Sequence, residues 1–250
     1  MKPVLSIVIP AYNEEKRLGL TLRKIIDYLD SRQIQAEIIV VDDGSKDNTA
    51  EAAREILTDW PLQKVVSLPE NQGKGAAVKE GLLQASGEFI LFSDADLSTP
   101  IEELEKMLPL ARQGCQVVIA SRALPESEIK KRQSWLREHM GKTFNFLVRL
   151  LLIKDIKDTQ CGFKLFEQKA ARKIFSELQT KGFAFDVEAL ALARRFGYKI
   201  AQVPVAWVNS PESRVGLVRS SVGMFIELLK IKRRLKKKAA DPSENGPSES

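Results

Sequence analysis

The sequence predicts an α/β fold: an open, mostly parallel, doubly wound sheet with helices on both faces. Three observations predict it. Short β-branched runs without polar alternation end at turn residues, as strands buried on both faces do. Segments with apolar residues at helical spacing lie between those runs. Strand and helix then alternate over the first ~120 residues, the pattern of parallel crossovers.

The elements follow in order. Ser6–Pro10 (SIVIP) and Glu37–Val41 (EIIVV) read as buried strands, and between them Leu18–Leu29 carries a helical apolar stripe at 18, 22, 25, 26 and 29. Thr49–Leu57 reads as a second crossover helix, with Asp47 or Asn48 placed to cap it. Lys64–Ser67 is the next strand, Gly75–Ala85 a helix, and Glu88–Phe92 (EFILF) another buried strand. Glu102–Gln113 is helical after Pro100, and Gln116–Ala120 (QVVIA) is a further strand. The character then changes. Glu126–Arg132 is charged and reads as a loop; Trp135–Ile153 is a long amphipathic helix with Leu136, Met140, Phe144, Leu147, Val148 and Leu151 on its apolar face. A second amphipathic helix, about Val218–Leu235, carries Val222, Phe225, Ile226 and Leu229 on one side. The last dozen residues (AADPSENGPSES) lack apolar content and are expected to be disordered.

Composition narrows the function classes. The 250 residues are 44% hydrophobic and 29% charged, enough for a core in one large domain or two small ones. The most apolar run, Phe144–Ile153, is broken by Asn145 and Arg149, which excludes a transmembrane helix, and a strand beginning near Val4 leaves no room for a signal peptide. Two cysteines, Cys115 and Cys161, form no disulfide framework and suggest a reducing compartment. The single histidine, His139, excludes the usual multi-histidine metal sites, so any metal is held by oxygen. Of the net charge of +6, the seven positive charges of Lys230–Lys238 (KIKRRLKKK) against three negative ones in Ala239–Ser250 leave only +2 for residues 1–229. The basic character belongs to one segment. Such a run serves as a solvated helix end, or meets an anionic membrane surface or nucleic acid.

In open α/β sheets ligands bind beyond the carboxyl ends of the strands, and three motifs lie there. Ala11-Tyr12-Asn13-Glu14 offers an aromatic face for a base and a carboxylate for a ring N–H or hydroxyl; it would equally make a turn with a capping Asn. Val41-Asp42-Asp43-Gly44-Ser45 sets two carboxylates side by side, which repel unless donors or cations compensate. Phe92-Ser93-Asp94-Ala95-Asp96 places carboxylates at i and i+2, able to converge on one hard divalent cation that neutralises a diphosphate leaving group, or else to cap a turn. A fourth motif, Asn71-Gln72-Gly73-Lys74-Gly75, opens a helix, where glycines let backbone N–H groups approach phosphate and Lys74 adds charge. Together these describe a nucleotide-diphosphate site with a metal.

SIVIPAYNE, VVDDGSKD, NQGKGAAV, FSDADLSTP, ASRAL, DTQCGFKLF and FAFDVEAL, in order across roughly Leu5–Val215, resemble the family 2 glycosyltransferases of the GT-A fold. Within them the chain is most similar to the dolichyl-phosphate β-glucosyltransferases, with the mannosyltransferases as close cousins. The resemblance implies a hexosyltransferase moving a sugar, glucose before mannose, from a nucleotide sugar, UDP-glucose before GDP-mannose, to a polyprenyl or dolichyl phosphate with inversion. It implies that Pro10, Tyr12, Glu14, Asp42 and Lys74 bind the nucleotide sugar, and that Asp94 and Asp96 form a DxD pair on Mg²⁺ or Mn²⁺, with Asp96 also counted as catalytic. Arg122, Arg132, Arg214 and Gln160 would meet the acceptor phosphate, Asp158 occupies the position usually nominated as catalytic, and Asp186 and Glu188 line the same region. Relatives commonly have Ser-Lys where this chain has Ser213-Arg214. A monoalkyl phosphate is largely dianionic at neutral pH and needs no strong base, so Asp158 is expected to orient the acceptor, a water or a cation.

The domain expected from this likeness spans residues 1–215, with a nucleotide-sugar half to about 122 and an acceptor half from 123. A basic amphipathic helix (216–238) and a tail (239–250) follow. The expected setting is the cytoplasmic face of a membrane, held peripherally through residues 134–153 and 218–238, with no nucleic-acid partner. Transfer to a saccharide hydroxyl is the alternative within enzymes, and a non-catalytic nucleotide- or RNA-binding module the alternative outside them.

Overall fold

The computed structural model of the chain describes residues 2–131, 135–208 and 217–239. Arg132, Ser213, Arg214 and the tail beyond 239 lie outside the described residues.

A seven-stranded sheet runs in the order β3-β2-β1-β4-β7-β5-β8. Its strands are β1 (Leu5–Ala11), β2 (Ala36–Asp42), β3 (Gln63–Ser67), β4 (Phe89–Ser93), β5 (Val117–Ser121), β7 (Phe163–Glu167) and β8 (Ile200–Pro204). All neighbours are parallel except β7, which is antiparallel to both β4 and β5. Every residue of β1, β2, β4 and β5 is buried. The pleat explains why each reads as a continuous apolar run, because successive side chains serve opposite faces. Ile7 and Ile9 pack with Leu18, Leu22 and Ile25 of α1 (Glu15–Ser31) and with Leu104 and Met107 of α4 (Leu104–Arg112). Val8, Ile39 and Val41 face Val78 and Leu82 of α3 (Lys74–Gln84), in a cluster shared with Ile174 of α6 (Gln168–Glu177) and Leu190 of α7 (Phe185–Arg195). The α/β class, the parallel majority and helices on both faces are as the sequence predicts, and α2 (Thr49–Leu57) has the expected bounds. The Asn48 side chain at its N-cap makes no capping bond; Asp47, one residue earlier, accepts from Thr49 N–H at 3.2 Å.

Register sets the strand ends level. Ala11 lies beside Asp42, and Asp42 beside Ser67. Because β7 is antiparallel, its first residue Phe163 pairs with Ser93, the last of β4. The Asp158–Gly162 segment therefore arrives at the rim where the parallel strands end.

One expectation is corrected, and one helix needs its faces told apart. Glu126–Arg132 is not all loop: β6 (Glu128–Lys131) pairs in parallel with β9 (Ala206–Val208) in a separate two-stranded sheet. A charged four-residue strand lacks the buried β-branched signature, and its pairing comes from a segment far along the chain. The C-terminal helix α8 (Leu217–Ala239) buries a different face from the one that carries Phe225, Ile226 and Leu229. Leu228 and Ile231 are fully buried, Leu228 clustering with Phe144 and Val148 of α5 (Trp135–Leu151) and Val187 of α7. Phe225, Ile226 and Leu229 stay 39%, 47% and 45% exposed, and Phe146 and Leu150 of α5 stay 62% and 63% exposed. Each helix thus shows an apolar stripe to solvent besides the one it buries. No helix among the described residues is long and apolar enough to cross a membrane.

Candidate active site

The rim carries the chemistry. After β1, Tyr12 is half-buried, and Asn13 takes a left-handed conformation with φ of 54°. That conformation is held from both ends: Asn13 N–H donates to Ser45 Oγ at 2.8 Å, and Asn13 Oδ1 accepts from Lys46 N–H at 2.8 Å. The Tyr12 turn is therefore bolted to the turn after β2, whose Asp42 accepts from Ser45 N–H at 3.1 Å. Pro10, inside β1, and Asp42 are buried. The Glu14 carboxylate is ion-paired with Arg17, one turn on.

Asp43 is the organiser of the next loop. Its carboxylate accepts from Gln72 N–H at 2.8 Å, Gly73 N–H at 2.9 Å and Asn71 Nδ2 at 3.1 Å. Burial pushes its pKa above the usual carboxylate value, although the two backbone N–H groups pull the other way. These donors are how two neighbouring carboxylates coexist, and they also engage the loop N–H groups that the sequence offered to phosphate. The cation of the loop, Lys74, instead meets Asp94 Oδ1 at 2.6 Å. Burial works against the Lys74 charge, but Asp94 and Asp186 outweigh it and hold its pKa above the ordinary value.

Asp94 is fixed by the chain returning through β7. Its N–H donates to Gly162 O at 3.0 Å, and its carboxylate lies directly over Gly162, where a Cβ would sit 2.0 Å from Asp94 Oδ2. Leu97 is left-handed, with φ of 43°, so backbone strain is concentrated just after the DxD pair. Asp96 has different neighbours: its Oδ1 accepts from Ser98 N–H at 3.0 Å, and it borders a cleft of about 750 Å³ shared with Lys24, Tyr28, Leu97 and Val208.

Further along the rim, Asp158 is buried beneath Arg122. The guanidinium grips it twice, Nε at 2.7 Å and Nη2 at 2.9 Å, while Arg122 N–H at 3.0 Å and Gln160 N–H at 3.2 Å complete its shell. Burial opposes the charge, but the Arg122 contacts dominate and hold Asp158 down to about 2. A carboxylate so saturated cannot serve as a proton acceptor at neutral pH; it aims Arg122, whose other face lies 5.3 Å from the Trp207 ring centroid. Burial raises the Cys161 thiol to about 11, leaving it inert.

Beneath the rim, Lys164 of β7 forms a fully buried ion pair with Asp186 at 2.5 Å and donates to Cys161 O at 2.6 Å. The Phe92 ring lies between the Lys74 and Lys164 ammoniums, at 5.4 and 5.7 Å. Glu188 accepts from Thr180 N–H at 2.6 Å and from Arg234 at 3.1 Å.

The structure therefore brings Tyr12, Asp42, Lys74, Asp94, Asp96, Arg122, Asp158 and Gln160 to one rim, with Arg132 and Arg214 outside the described residues. Sequence reasoning missed Trp207, Gly162, Lys164 and Arg234. Only Gly162 left a local signal, a glycine where the chain turns into a buried strand. For a divalent cation the donor set is suitable: hard carboxylate oxygens on Asp94 and Asp96, of which Asp94 Oδ1 already faces the Lys74 ammonium at 2.6 Å. Asp94 and Asp96 would hold such an ion. No cluster of three or more metal-ligating side chains occurs among the described residues, so substrate oxygens or water would have to complete the shell.

The glycosyl transferase family 2 model matches residues 6–175. The human dolichyl-phosphate beta-glucosyltransferase is 41% identical over 243 residues, covering 92% of this chain and 75% of its own. The *Saccharomyces cerevisiae* enzyme of that name is 36% identical, covering 91% and 74%. Among solved structures, glucosyl-3-phosphoglycerate synthase from *Mycobacterium tuberculosis*, in complex with UDP, superposes with a TM-score of 0.66 at 24% identity, covering 92% of this chain and 80% of that one. Mannosyl-3-phosphoglycerate synthase from *Rubrobacter xylanophilus* gives 0.69 at 20% identity, covering 99% and 79%. These two likenesses concern the fold.

Proposed function

The chain belongs to glycosyl transferase family 2, and from that premise we propose that it transfers glucose from UDP-glucose to dolichyl or a related polyprenyl phosphate, giving a β-linked lipid-phosphate sugar. The observation that carries this reading is the pair of cations on one rim. Lys74 stands at Asp94 for the departing diphosphate, and Arg122 is aimed by Asp158 and Trp207 for the acceptor phosphate. The relatives named for glucosyl transfer to dolichyl phosphate supply the sugar and the lipid.

The chain's residues divide the work. Tyr12 and Asp42 receive the base and ribose at the ends of β1 and β2, with Pro10 and Glu14 shaping that turn. Arg122, with Arg132, Arg214 and Gln160, holds the acceptor phosphate in line with the anomeric carbon, a positioning contribution that removes much of the entropic barrier. The acceptor is already dianionic, so an Asp158 ionised down to about pH 2 suits a reaction that needs no base. Attack from the face opposite the diphosphate inverts the centre, and Lys74 receives the charge that develops on the leaving group. Mg²⁺ or Mn²⁺ held by Asp94 and Asp96 would add Lewis-acid neutralisation of the diphosphate.

The lipid requires access to a membrane. The exposed stripes of Phe146 and Leu150 on α5 and of Phe225, Ile226 and Leu229 on α8, flanked by the Lys230–Lys238 run, suit peripheral contact with an anionic cytoplasmic surface. The test is a transfer assay with Mg²⁺ or Mn²⁺, polyprenyl phosphate in detergent, and labelled UDP-glucose, GDP-mannose and UDP-GlcNAc in parallel. A mild-acid-labile labelled lipid from UDP-glucose alone is the expected result. Label from GDP-mannose instead corrects the donor, an α-linked product overturns the in-line step, and UDP release only with a saccharide acceptor overturns the acceptor.

A further inference from the structure

The basic run of α8 is not uniformly a solvated face. Arg234 turns inward, with a quarter of its side chain exposed, and its guanidinium spans Glu188 at 3.1 Å, Thr180 Oγ1 at 3.3 Å and Gln179 Oε1 at 3.5 Å. Glu188 is buried and accepts from the N–H groups of Gln179 at 3.1 Å and Thr180 at 2.6 Å. One arginine and one carboxylate therefore fix the 179–181 segment from its side chains and its backbone together.

That segment is the wall against which the Lys74 loop is built. Lys181 O accepts from Ala76 N–H at 3.2 Å, and Lys181 Nζ donates to Gln72 Oε1 at 3.2 Å. The fit leaves no slack: a Cβ on Gly73 would stand 2.6 Å from Lys181 O, and one on Gly75 would stand 2.5 Å from Thr180 O. Gly73 has φ of 103°, open only to glycine without strain. Lys74 lies between these two glycines, so its direction is set by where the 179–181 backbone stands.

We propose that Arg234 is a positioning residue for the donor diphosphate, acting through Glu188 and the 179–181 segment on the loop that carries Lys74. The proposal rests on the reading of Lys74 as the diphosphate's cation. It assigns to the C-terminal helix a second task, bracing the donor site from behind, carried by a side chain that the lipid-facing stripe does not use. Loss of the brace lets the loop wander and weakens nucleotide binding, while the acceptor end, held by Asp158 and Trp207, keeps its geometry.

The test measures UDP affinity of the full chain by calorimetry in the presence of Mn²⁺, alongside steady-state kinetics. Arg234→Gln is expected to weaken UDP binding about tenfold and raise the donor KM in parallel. Arg234→Lys, which keeps the charge but not the two-armed grip, should weaken it about threefold. The lipid-phosphate KM should stay within about twofold of the original in both, while kcat at saturating donor falls as Lys74 loses its hold on the leaving group. Lys173→Gln, which removes a cation from an exposed ion pair on α6, serves as the charge control and should leave UDP affinity unchanged. UDP binding by Arg234→Gln within about twofold of the parent, in protein with a retained cooperative melt, overturns the inference. Where Arg234→Gln melts below the assay temperature, Arg234→Lys decides, and unchanged affinity there overturns it equally. A parent protein that binds neither UDP nor GDP overturns the diphosphate reading itself, an outcome distinct from equal binding by parent and variant.

Discussion

Gly162→Ala separates the proposed role of the Asp94 loop from the fold more cleanly than removal of a charged group does. Gly162 has no left-handed requirement, so its backbone accepts alanine. The added methyl is the whole perturbation, and it would fall 2.0 Å from Asp94 Oδ2 and 2.2 Å from Cγ. Restoring ordinary contact moves the carboxylate by about 1 Å or more, which breaks the 2.6 Å contact with Lys74 and displaces one arm of the DxD pair. A displacement of that size in a reacting constellation costs about a hundredfold in rate, equivalent to about 2.7 kcal/mol of transition-state stabilisation. Stability should barely change, because the Asp94 side chain is 30% exposed and can swing toward water. Gly81→Ala is the counterpart, since its methyl would meet Val8 Cγ1 at 2.3 Å and Val41 Cγ2 at 3.0 Å inside the core. It should cost about 1–3 kcal/mol of stability by overpacking with little effect on turnover per folded molecule. The assays are kcat/KM for glucosyl transfer and urea denaturation on both variants. Gly162→Ala turning over within about threefold of the parent refutes the placement of Asp94 at the reaction centre.

Three further outcomes follow from the same geometry. Trp207→Leu removes the ring under Arg122, worth about 0.5–2 kcal/mol, and should raise the lipid-phosphate KM about 2- to 30-fold while leaving the donor KM alone; an increase in the donor KM instead would place Trp207 at the wrong end of the site. The Asp158 pKa is depressed from 3.8 to about 2, so its contribution to stability, about 2 kcal/mol, is fully present above pH 4 and is lost as pH falls through 2. Consequently the transfer rate should show no inflection from Asp158 between pH 5 and 8, and Asp158→Asn should reduce the acid-side loss of stability, measured by denaturation from pH 4 down to 2, by about 2 kcal/mol. Asp96→Asn should weaken the Mn²⁺ dependence of transfer and leave the melting temperature within a few degrees; chelator should silence the parent and added Mn²⁺ or Mg²⁺ restore it, and a chelator-resistant parent would remove the metal from the reading.

What the sequence revealed and what it hid have the same physical cause. β1, β2, β4 and β5 are legible because strands covered on both faces must be apolar at consecutive positions, a constraint each imposes on its own residues. The motifs at their ends are legible because parallel strands end on one side of a sheet. β7 escaped, since its insertion between β4 and β5 is a matter of pairing alone, yet that antiparallel return delivers Asp158, Gly162 and Lys164 to the rim. The β6–β9 ribbon escaped likewise. Its strands are short, one charged and the other only three residues long, and it is recognisable only through partners such as Ser98 O, which accepts from Val208 N–H at 2.8 Å, and Glu103, which accepts from Ala206 N–H at 3.1 Å.

The α8 helix is the instructive case, because two apolar stripes at helical spacing satisfy the same periodicity and only tertiary contact chooses between them. Packing against α5 and α7 selects Leu228 and Ile231. A helix that needed only to cover the domain would carry one stripe. Retaining Phe225, Ile226 and Leu229 on the open side, next to the lysines of Lys230–Lys238, costs solubility unless something apolar meets them. The same helix sends Arg234 inward to Glu188, Thr180 and Gln179. On the proposed function, its sequence answers to three surfaces at once: a core, a lipid headgroup region and the wall of the nucleotide site.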